Sequence, residues 1–298
     1  MDSLAIITSY FKYKEVRSLF DALRCIPYAH IKGEVLSVQA YGSTGNRKFS
    51  DIDLLILRKD FEMIKKILCE EGFKQPYLSR KDKITILSSS HQTLPWYKNS
   101  DSLGYVHVDL NFDVFWGEYE GKRIDIEEFI SDTTEYDIYG LKTKALSPMK
   151  SLLQLSLHHY KDMNSIFLLA TRNSITYDMF KDVYYLLKNN MDTITLDQLY
   201  SMSVKYEIVP YVFYVLYYTG QVFEDETLKQ YIEAFRTPEG ERIINCYGLC
   251  EKEQKEWKCD FQTRLKSENL YDLIKDDLTE RDKEKIAINR RVFLGGAE

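Results

Sequence analysis

The stretch KGEVLSVQAYGSTGNRKFSDIDLLIL, residues 32–57, places two glycine turns ahead of a pair of aspartates. Asp51 and Asp53 are two residues apart, at the start of an apolar run with the length and composition of a buried strand. Side chains alternate faces along a strand, so both carboxylates are expected on one face of the sheet. Two carboxylates that close repel each other, and a divalent cation between them is the usual remedy. The stretch therefore predicts a metal site, the alternative being an aspartate that caps a turn.

A third carboxylate is predicted from GYVHVDLNFDVFW, residues 104–116, where apolar and polar residues alternate. A two-metal site for nucleotidyl transfer needs a further carboxylate from a neighbouring strand, to complete the catalytic metal site and take up the proton of the attacking hydroxyl. Asp109 is the candidate. Asp113 is four residues further on, about 13 Å along an extended strand, which is too far to share the same metal.

The rest of the chain divides by its periodicity. Strand and helix patterns alternate up to about residue 118, which indicates an α/β or α+β arrangement, and from Pro148 onward nearly every segment reads as a helix. We expect a catalytic domain over residues 1–140, a helical domain over 141–250 and a charged C-terminal segment over 251–298, with Gly140–Pro148 as the connector. The strands expected are Tyr28–Ile31, Ile52–Leu57, Lys83–Leu87 and Tyr105–Phe115, with a weak strand signal at Trp257–Leu265.

Composition restricts the partners. The formal net charge of -6 argues against a broad basic surface for nucleic acid, so a small molecule or another protein is the expected partner. No apolar stretch approaches the ~18 residues that span a bilayer. Five cysteines without paired short spacings fit a reducing compartment, and we expect a cytoplasmic protein that does not bind membranes.

These residues resemble the nucleotidyltransferase superfamily typified by DNA polymerase beta, whose signature is a strand, a glycine turn, a helix and Asp-x-Asp on the next strand. More closely, the chain is similar to a bacterial family of uncharacterised nucleotidyltransferases. The segments that carry the resemblance are IPYAHIKGEVLS (26–37), RKFSDIDLLI (47–56), HVDLNF (107–112), LSPMKSLLQLSLHHYKDMN (146–164) and, more weakly, FKDVYYLLKNN (180–190). The resemblance implies an α+β fold with a mixed sheet and flanking helices followed by a helical domain.

The resemblance also implies a reaction: Mg²⁺-dependent transfer of a nucleoside monophosphate from a nucleoside triphosphate, with ATP as the expected donor, and release of pyrophosphate. Asp51, Asp53 and Asp109 would hold two metal ions. Asn111 departs from the histidine that many members carry at this position. The residues expected to contact the nucleotide are Lys32, Gly33, Glu34, Arg47, Ser50 and Lys161.

Two glycines compete for the phosphate turn. Seventeen residues separate Gly33 from Asp51, which leaves room for a helix from Glu34 to Tyr41 whose first amides bind phosphate oxygens. Gly42 would then end that helix in the left-handed conformation. In the rival interpretation Val35 to Tyr41 is a strand and Gly42-Ser43 forms the phosphate turn. Family spacing and the room for a helix favour Lys32-Gly33.

The sequence does not identify the acceptor, which we expect to carry a hydroxyl or a similar group. One alternative is a toxin-like nucleotidyltransferase that modifies transfer RNA or a protein. Another is a non-catalytic nucleotide-binding or interaction module, in which the carboxylates would not converge.

Overall fold

The computed structural model describes residues 3–77, 79–80, 82, 91–116, 124–171 and 174–293. The described residues form two compact units. The first takes in those within Met1–Glu118, Arg123–Leu152 and Tyr185–Ile194, and the second those within Leu153–Tyr184 and Thr195–Glu298.

A six-stranded mixed sheet forms the centre of the first unit. Its strands are β1 (Tyr28–Ile31), β2 (Ile52–Ile56), β3 (Trp96–Ser100), β4 (Gly104–Asn111), β5 (Thr134–Ile138) and β6 (Leu141–Ala145), in the order β3-β4-β2-β1-β6-β5. The β2/β4 and β1/β6 pairs are parallel, and the other neighbours are antiparallel. Together with the helices, this sheet confirms the predicted α+β class.

Among the described residues, the helices that lie wholly within the first unit are α1 (Ser3–Glu15), α2 (Arg17–Ala22), α3 (Gly33–Tyr41), α4 (Phe61–Glu70) and α5 (Ile126–Phe129). Helix α2 packs its buried side chains, Leu19 and Phe20, into the same apolar core as strands β1, β2 and β4. Near the start of α1, the apolar residues Leu4 and Ile7 are exposed.

The predicted connector Gly140–Pro148 is wrong, because Leu141–Ala145 is strand β6 of the sheet. Strands β5 and β6 form a hairpin in which Ile138 pairs with Leu141, and the two residues between them, Tyr139 and Gly140, both have positive φ. Two-residue hairpin turns of this kind usually carry Asn-Gly or Asp-Gly. Because Tyr139 stands at the first position, the sequence does not show this signature. A domain boundary at residue 140 would cut this hairpin. The predicted strand Lys83–Leu87 lies outside the described residues.

The second unit is mainly helical. Helices α6 (Pro148–Asn164) and α8 (Tyr177–Lys188) each have residues in both units, and the remaining helices are α7 (Ile166–Thr171), α9 (Leu196–Lys205), α10 (Val209–Gly220), α11 (Glu226–Phe235), α12 (Pro238–Ile243), α13 (Phe261–Lys266), α14 (Tyr271–Ile274) and α15 (Glu280–Phe293). Two short strands, β7 (Cys246–Tyr247) and β8 (Lys255–Glu256), pair with each other. No helix in the described part of the chain is long and apolar enough to cross a membrane.

The C-terminal segment departs from prediction. The strand signal at Trp257–Leu265 is wrong, because Phe261–Lys266 is helix α13, whose N-cap Asp260 accepts a hydrogen bond from Thr263 N at 2.8 Å. Arg264 in this helix is 1% exposed, and its Nη2 donates to Tyr218 Oη at 2.9 Å. The described residues beyond 250 therefore belong to the second unit, with Arg264 in its interior, and the predicted boundary at residue 250 is not followed.

Candidate active site

Three aspartates converge on two neighbouring strands. Asp53 on β2 and Asp109 on β4 are directly paired in a parallel register, and Asp51 immediately precedes β2. One carboxylate oxygen from each of the three lies within 4.8 Å of the others. The alternation of side chains along the two strands thus brings together the residues from which the sequence predicted a metal site.

Burial and neighbouring negative charge oppose the ionisation of Asp109. Its Oδ1 is buried and has no hydrogen-bond partner among the described residues. Burial, followed by the charges of Asp53 and Asp51, raises its pKa to about 8, while Lys32 acts in the opposite direction. A buried acceptor without a donor, within a set of three hard oxygen ligands, fits a divalent cation such as Mg²⁺.

Lys32 links the turn between β1 and α3 to the carboxylates. Its Nζ lies 2.9 Å from Asp53 Oδ1, and Asn111 Nδ2 donates to the same oxygen at 3.3 Å. Lys32 follows the last residue of β1 and is the N-cap of α3, where its φ of 58° and ψ of -144° are strained for a residue with a side chain. Such strain costs about 1–3 kcal/mol and is concentrated at functional sites. The contact with Asn111 gives that position a role that the sequence did not assign.

Helix α3 excludes one of the two interpretations of the glycine turns. Val35 to Tyr41 is helical, so the rival in which this segment is a strand is wrong. Gly42, with a φ of 77°, ends the helix as predicted, and its N–H donates to Val38 O at 2.9 Å. At the other end, the first intrahelical bond runs from Leu36 N to Lys32 O, and the amides of residues 33–35 precede it. Gly33 is buried with a φ of 48°.

The side chain of Glu34 is buried and makes its contacts within the protein. Its side chain is 0% exposed, and its carboxylate accepts hydrogen bonds from Gly45 N at 2.7 Å and from Tyr139 Oη at 2.9 Å. The backbone of Glu34 is hydrogen-bonded to the hydroxyl of Tyr13. Contact of Glu34 with a nucleotide stays a prediction. In the structure, Glu34 joins the start of α3 to the loop after that helix and to the β5–β6 turn.

Lys12 is a site residue that the sequence reasoning missed. From α1, its Nζ donates to Phe49 O at 2.7 Å and to Ser50 O at 3.0 Å, which fixes the backbone immediately before Asp51. Burial lowers the pKa of Lys12, while the charges of Asp51 and Glu34 oppose that shift. The available signal was a lysine at a helical spacing from the buried residue Val16.

The other residues predicted to contact the nucleotide, Ser50, Arg47 and Lys161, lie in different parts of the structure. Ser50 is exposed, and its Oγ donates to Asp51 Oδ1 at 3.0 Å. Arg47 is half-buried in the loop between α3 and β2. Lys161 lies on α6 within the second unit, where its Nζ is 3.8 Å from Asp162 Oδ1. Contacts of Arg47 and Lys161 with a nucleotide stay predictions.

The fold and the site together define an α+β protein with a three-carboxylate cluster that fits a metal ion. The chain belongs to the family of uncharacterised nucleotidyltransferases, whose model matches residues 6–224. A comparison with curated proteins gives no match.

Three solved structures are similar to this chain at low identity. An antigenic nucleotidyltransferase-like protein from Paracoccidioides brasiliensis is 17% identical, with 78% of this chain and 93% of that chain covered and a TM-score of 0.40. The antibiotic-resistance factor ANT(2'')-Ia is 10% identical, with 67% of this chain and 95% of that chain covered and a TM-score of 0.40. The lincosamide antibiotic adenylyltransferase LnuA, in a lincomycin-bound structure, is 15% identical, with 61% of this chain and 97% of that chain covered and a TM-score of 0.34. The TM-scores are below 0.5, so the assignment rests on the family match.

Proposed function

We propose that this protein is a Mg²⁺-dependent nucleotidyltransferase that moves a nucleoside monophosphate from a nucleoside triphosphate, with ATP as the first candidate, to a hydroxyl or similar acceptor and releases pyrophosphate. The observation that carries the proposal is the convergence of three carboxylates, one of which has a buried oxygen without a donor. Membership of the nucleotidyltransferase family supports the same reaction class.

Each carboxylate has a distinct part in this proposal. Asp51, Asp53 and Asp109 would hold the metal, which when bound would neutralise the charge that develops on the transferring phosphoryl group. Asp109 is the proposed acceptor of the proton from the attacking hydroxyl, because it is the carboxylate that the neighbouring strand adds to Asp51 and Asp53. Ser50, beside Asp51, is exposed, and Lys32 supplies positive charge next to Asp53.

The phosphates are proposed to lie at the start of α3. The partial positive charge of a helix N-terminus favours anions, and Lys32 is the N-cap of this helix. Because Gly33 and Glu34 are buried, an approaching phosphate would meet the side chain of Lys32 before the backbone of either residue.

The test is a screen of four α-³²P-labelled nucleoside triphosphates with purified protein, Mg²⁺ and cell extract. We expect label from at least one of them to move to an acceptor, and the fraction labelled to show whether this is a small molecule, RNA or a protein. The Asp53→Asn variant should lose transfer, whereas Asp21→Asn, which removes an exposed carboxylate on α2, should retain it.

Transfer in the Asp53→Asn variant at the wild-type rate would contradict the proposal. A wild-type protein whose melting temperature does not respond to Mg²⁺ with any of the triphosphates would instead favour the non-catalytic module.

A further inference from the structure

Lys32 forms an ion pair with Asp53, one of the three proposed metal ligands. Its Nζ lies 2.9 Å from Asp53 Oδ1, which also accepts a hydrogen bond from Asn111. The side chains of Lys32 and Asp53 are only 15% and 7% exposed, so water screens their attraction much less than it screens a surface pair. A bare divalent ion must therefore take Oδ1 from Lys32 or bind Asp53 through its other oxygen alone.

The backbone of Lys32 is fixed on both sides. Ile31, the residue before it, pairs with Asp53 in the β1/β2 ladder, and Lys32 O accepts the first hydrogen bond of α3 from Leu36 N. Any movement of the lysine is consequently confined to its flexible four-carbon side chain. A phosphate at the start of α3 would offer that ammonium group a second anionic partner near Asp53.

We infer that Lys32 is a resident counter-ion of Asp53 that transfers from the carboxylate to the triphosphate, so that the metal ion binds weakly alone and strongly together with the nucleotide. This inference rests on the proposed function. The coupling is reciprocal, because a triphosphate that attracts Lys32 frees Asp53 for the metal, and a metal on Asp53 frees Lys32 for the triphosphate. Couplings of this kind change affinities by about 5- to 150-fold.

The test is a titration with Mn²⁺, in which electron paramagnetic resonance measures the free ion, with and without adenosine 5′-(α,β-methylene)triphosphate. For Lys32→Met we expect an affinity for Mn²⁺ alone on the order of tenfold higher than that of the wild type, and a smaller increase when the nucleotide is added. Since Mn²⁺ also binds the nucleotide in solution, a protein-free titration is subtracted from each curve.

The matched control is Lys59→Met. It removes a lysine of the same unit whose ion pair with Glu127 is exposed, and its Mn²⁺ affinity should equal that of the wild type. If Lys32→Met does not fold, as judged by circular dichroism and its melting curve, Lys32→Gln is measured in the same way.

The inference and the proposed function fail differently. If the wild type binds both ligands but the Lys32 variant shows no gain in affinity for Mn²⁺ alone, the counter-ion role is overturned and the metal site stands. If the wild type binds neither Mn²⁺ nor the nucleotide analogue, the proposed function is wrong, and the role of Lys32 is rejected with it.

Discussion

Asp109→Asn should stabilise the metal-free protein while removing its activity. The oxygens of Asp51, Asp53 and Asp109 lie within 4.8 Å of one another. At an effective dielectric constant of about 20, two unit charges at that distance repel by roughly 3.5 kcal/mol. Lys32 offsets part of this repulsion through Asp53. Asparagine keeps the shape of the side chain and removes its charge.

The gain in stability has an upper limit, because the carboxyl group can escape the repulsion by taking up a proton. Protonation at pH 7 of a group with an ordinary pKa of 3.8 costs about 4 kcal/mol. We therefore expect the free energy of unfolding of Asp109→Asn in EDTA to exceed that of the wild type by about 2–4 kcal/mol. At roughly 2–4 °C per kcal/mol, the melting temperature should rise by at least about 4 °C.

The dependence on pH follows from the direction of the shift. The pKa of Asp109 is raised to about 8 in the folded protein, so between roughly pH 4 and pH 8 the native state binds more protons than the unfolded state. Wild-type stability should consequently fall, relative to that of the variant, as the pH rises through this window. Addition of Mg²⁺ should stabilise the wild type and leave the variant nearly unchanged.

Differential scanning calorimetry in EDTA at pH 4.5, 6 and 8, with and without Mg²⁺, measures all of these quantities. A variant that is less stable than the wild type in EDTA at pH 8 would refute the reasoning, since it would mean that Asp109 contributes attraction rather than repulsion to the metal-free site. A stability difference that is the same at every pH would refute the charge-based explanation.

Three further predictions concern the residues around the cluster. Lys12→Met should lower the affinity for Mn²⁺ at least several-fold and the free energy of unfolding by about 1–3 kcal/mol, because two carbonyls lose their donor. Isothermal titration measures the affinity and urea unfolding the stability. Lys14→Met, which removes an exposed lysine of the same helix, should change neither quantity. Burial lowers the pKa of His30 from 6.5 to about 3, so between these pH values the unfolded state binds more protons than the folded state. When the pH falls from 7 to 5, the free energy of unfolding of the wild type, measured by urea unfolding, should therefore decrease by about 2 kcal/mol more than that of His30→Leu. Tyr139→Phe deprives the buried Glu34 carboxylate of a donor and should cost about 1.5–3 kcal/mol in the same assay, and a loss below 0.5 kcal/mol would show that the contact is not stabilising.

The parts of the site that are local in sequence were predictable. The spacing of Asp51 and Asp53 fixes their common face, and the distance from Gly33 to Asp51 left room for the helix that the structure shows as Gly33–Tyr41. The apolar run after Asp51 gave strand β2, and the alternation around Asp109 gave β4. In each case a periodicity of two or 3.6 residues within a short segment predicts the element, without knowledge of the tertiary structure.

The supporting contacts were not predictable, because they join distant parts of the chain. Lys12 binds carbonyls 37 and 38 residues away, and the Tyr139 hydroxyl reaches the Glu34 carboxylate across 105 residues. Polar residues such as Lys12 and Glu34 normally indicate a solvated surface, and only the packing of α1 and of the β5–β6 hairpin against α3 and its loop makes them internal. The sequence pattern thus located the carboxylates and not the side chains that hold them in place.

Several energetic costs of the metal-free protein lie at the carboxylate cluster and at the turn after β1. Lys32 has a strained backbone, Asp109 has an acceptor without a donor among the described residues, and the like charges of Asp51 and Asp53 lie close to Asp109. A fold selected for stability alone would replace at least one of these groups, since most proteins tolerate such conflicts only at functional sites. Under the proposed function, a cation between the carboxylates would supply the partner that Asp109 Oδ1 lacks in the described part of the chain, and an anion beside Lys32 would replace Asp53 as its counter-charge. The side chains whose charges conflict in the metal-free protein would then be the ones that bind a metal ion and a triphosphate.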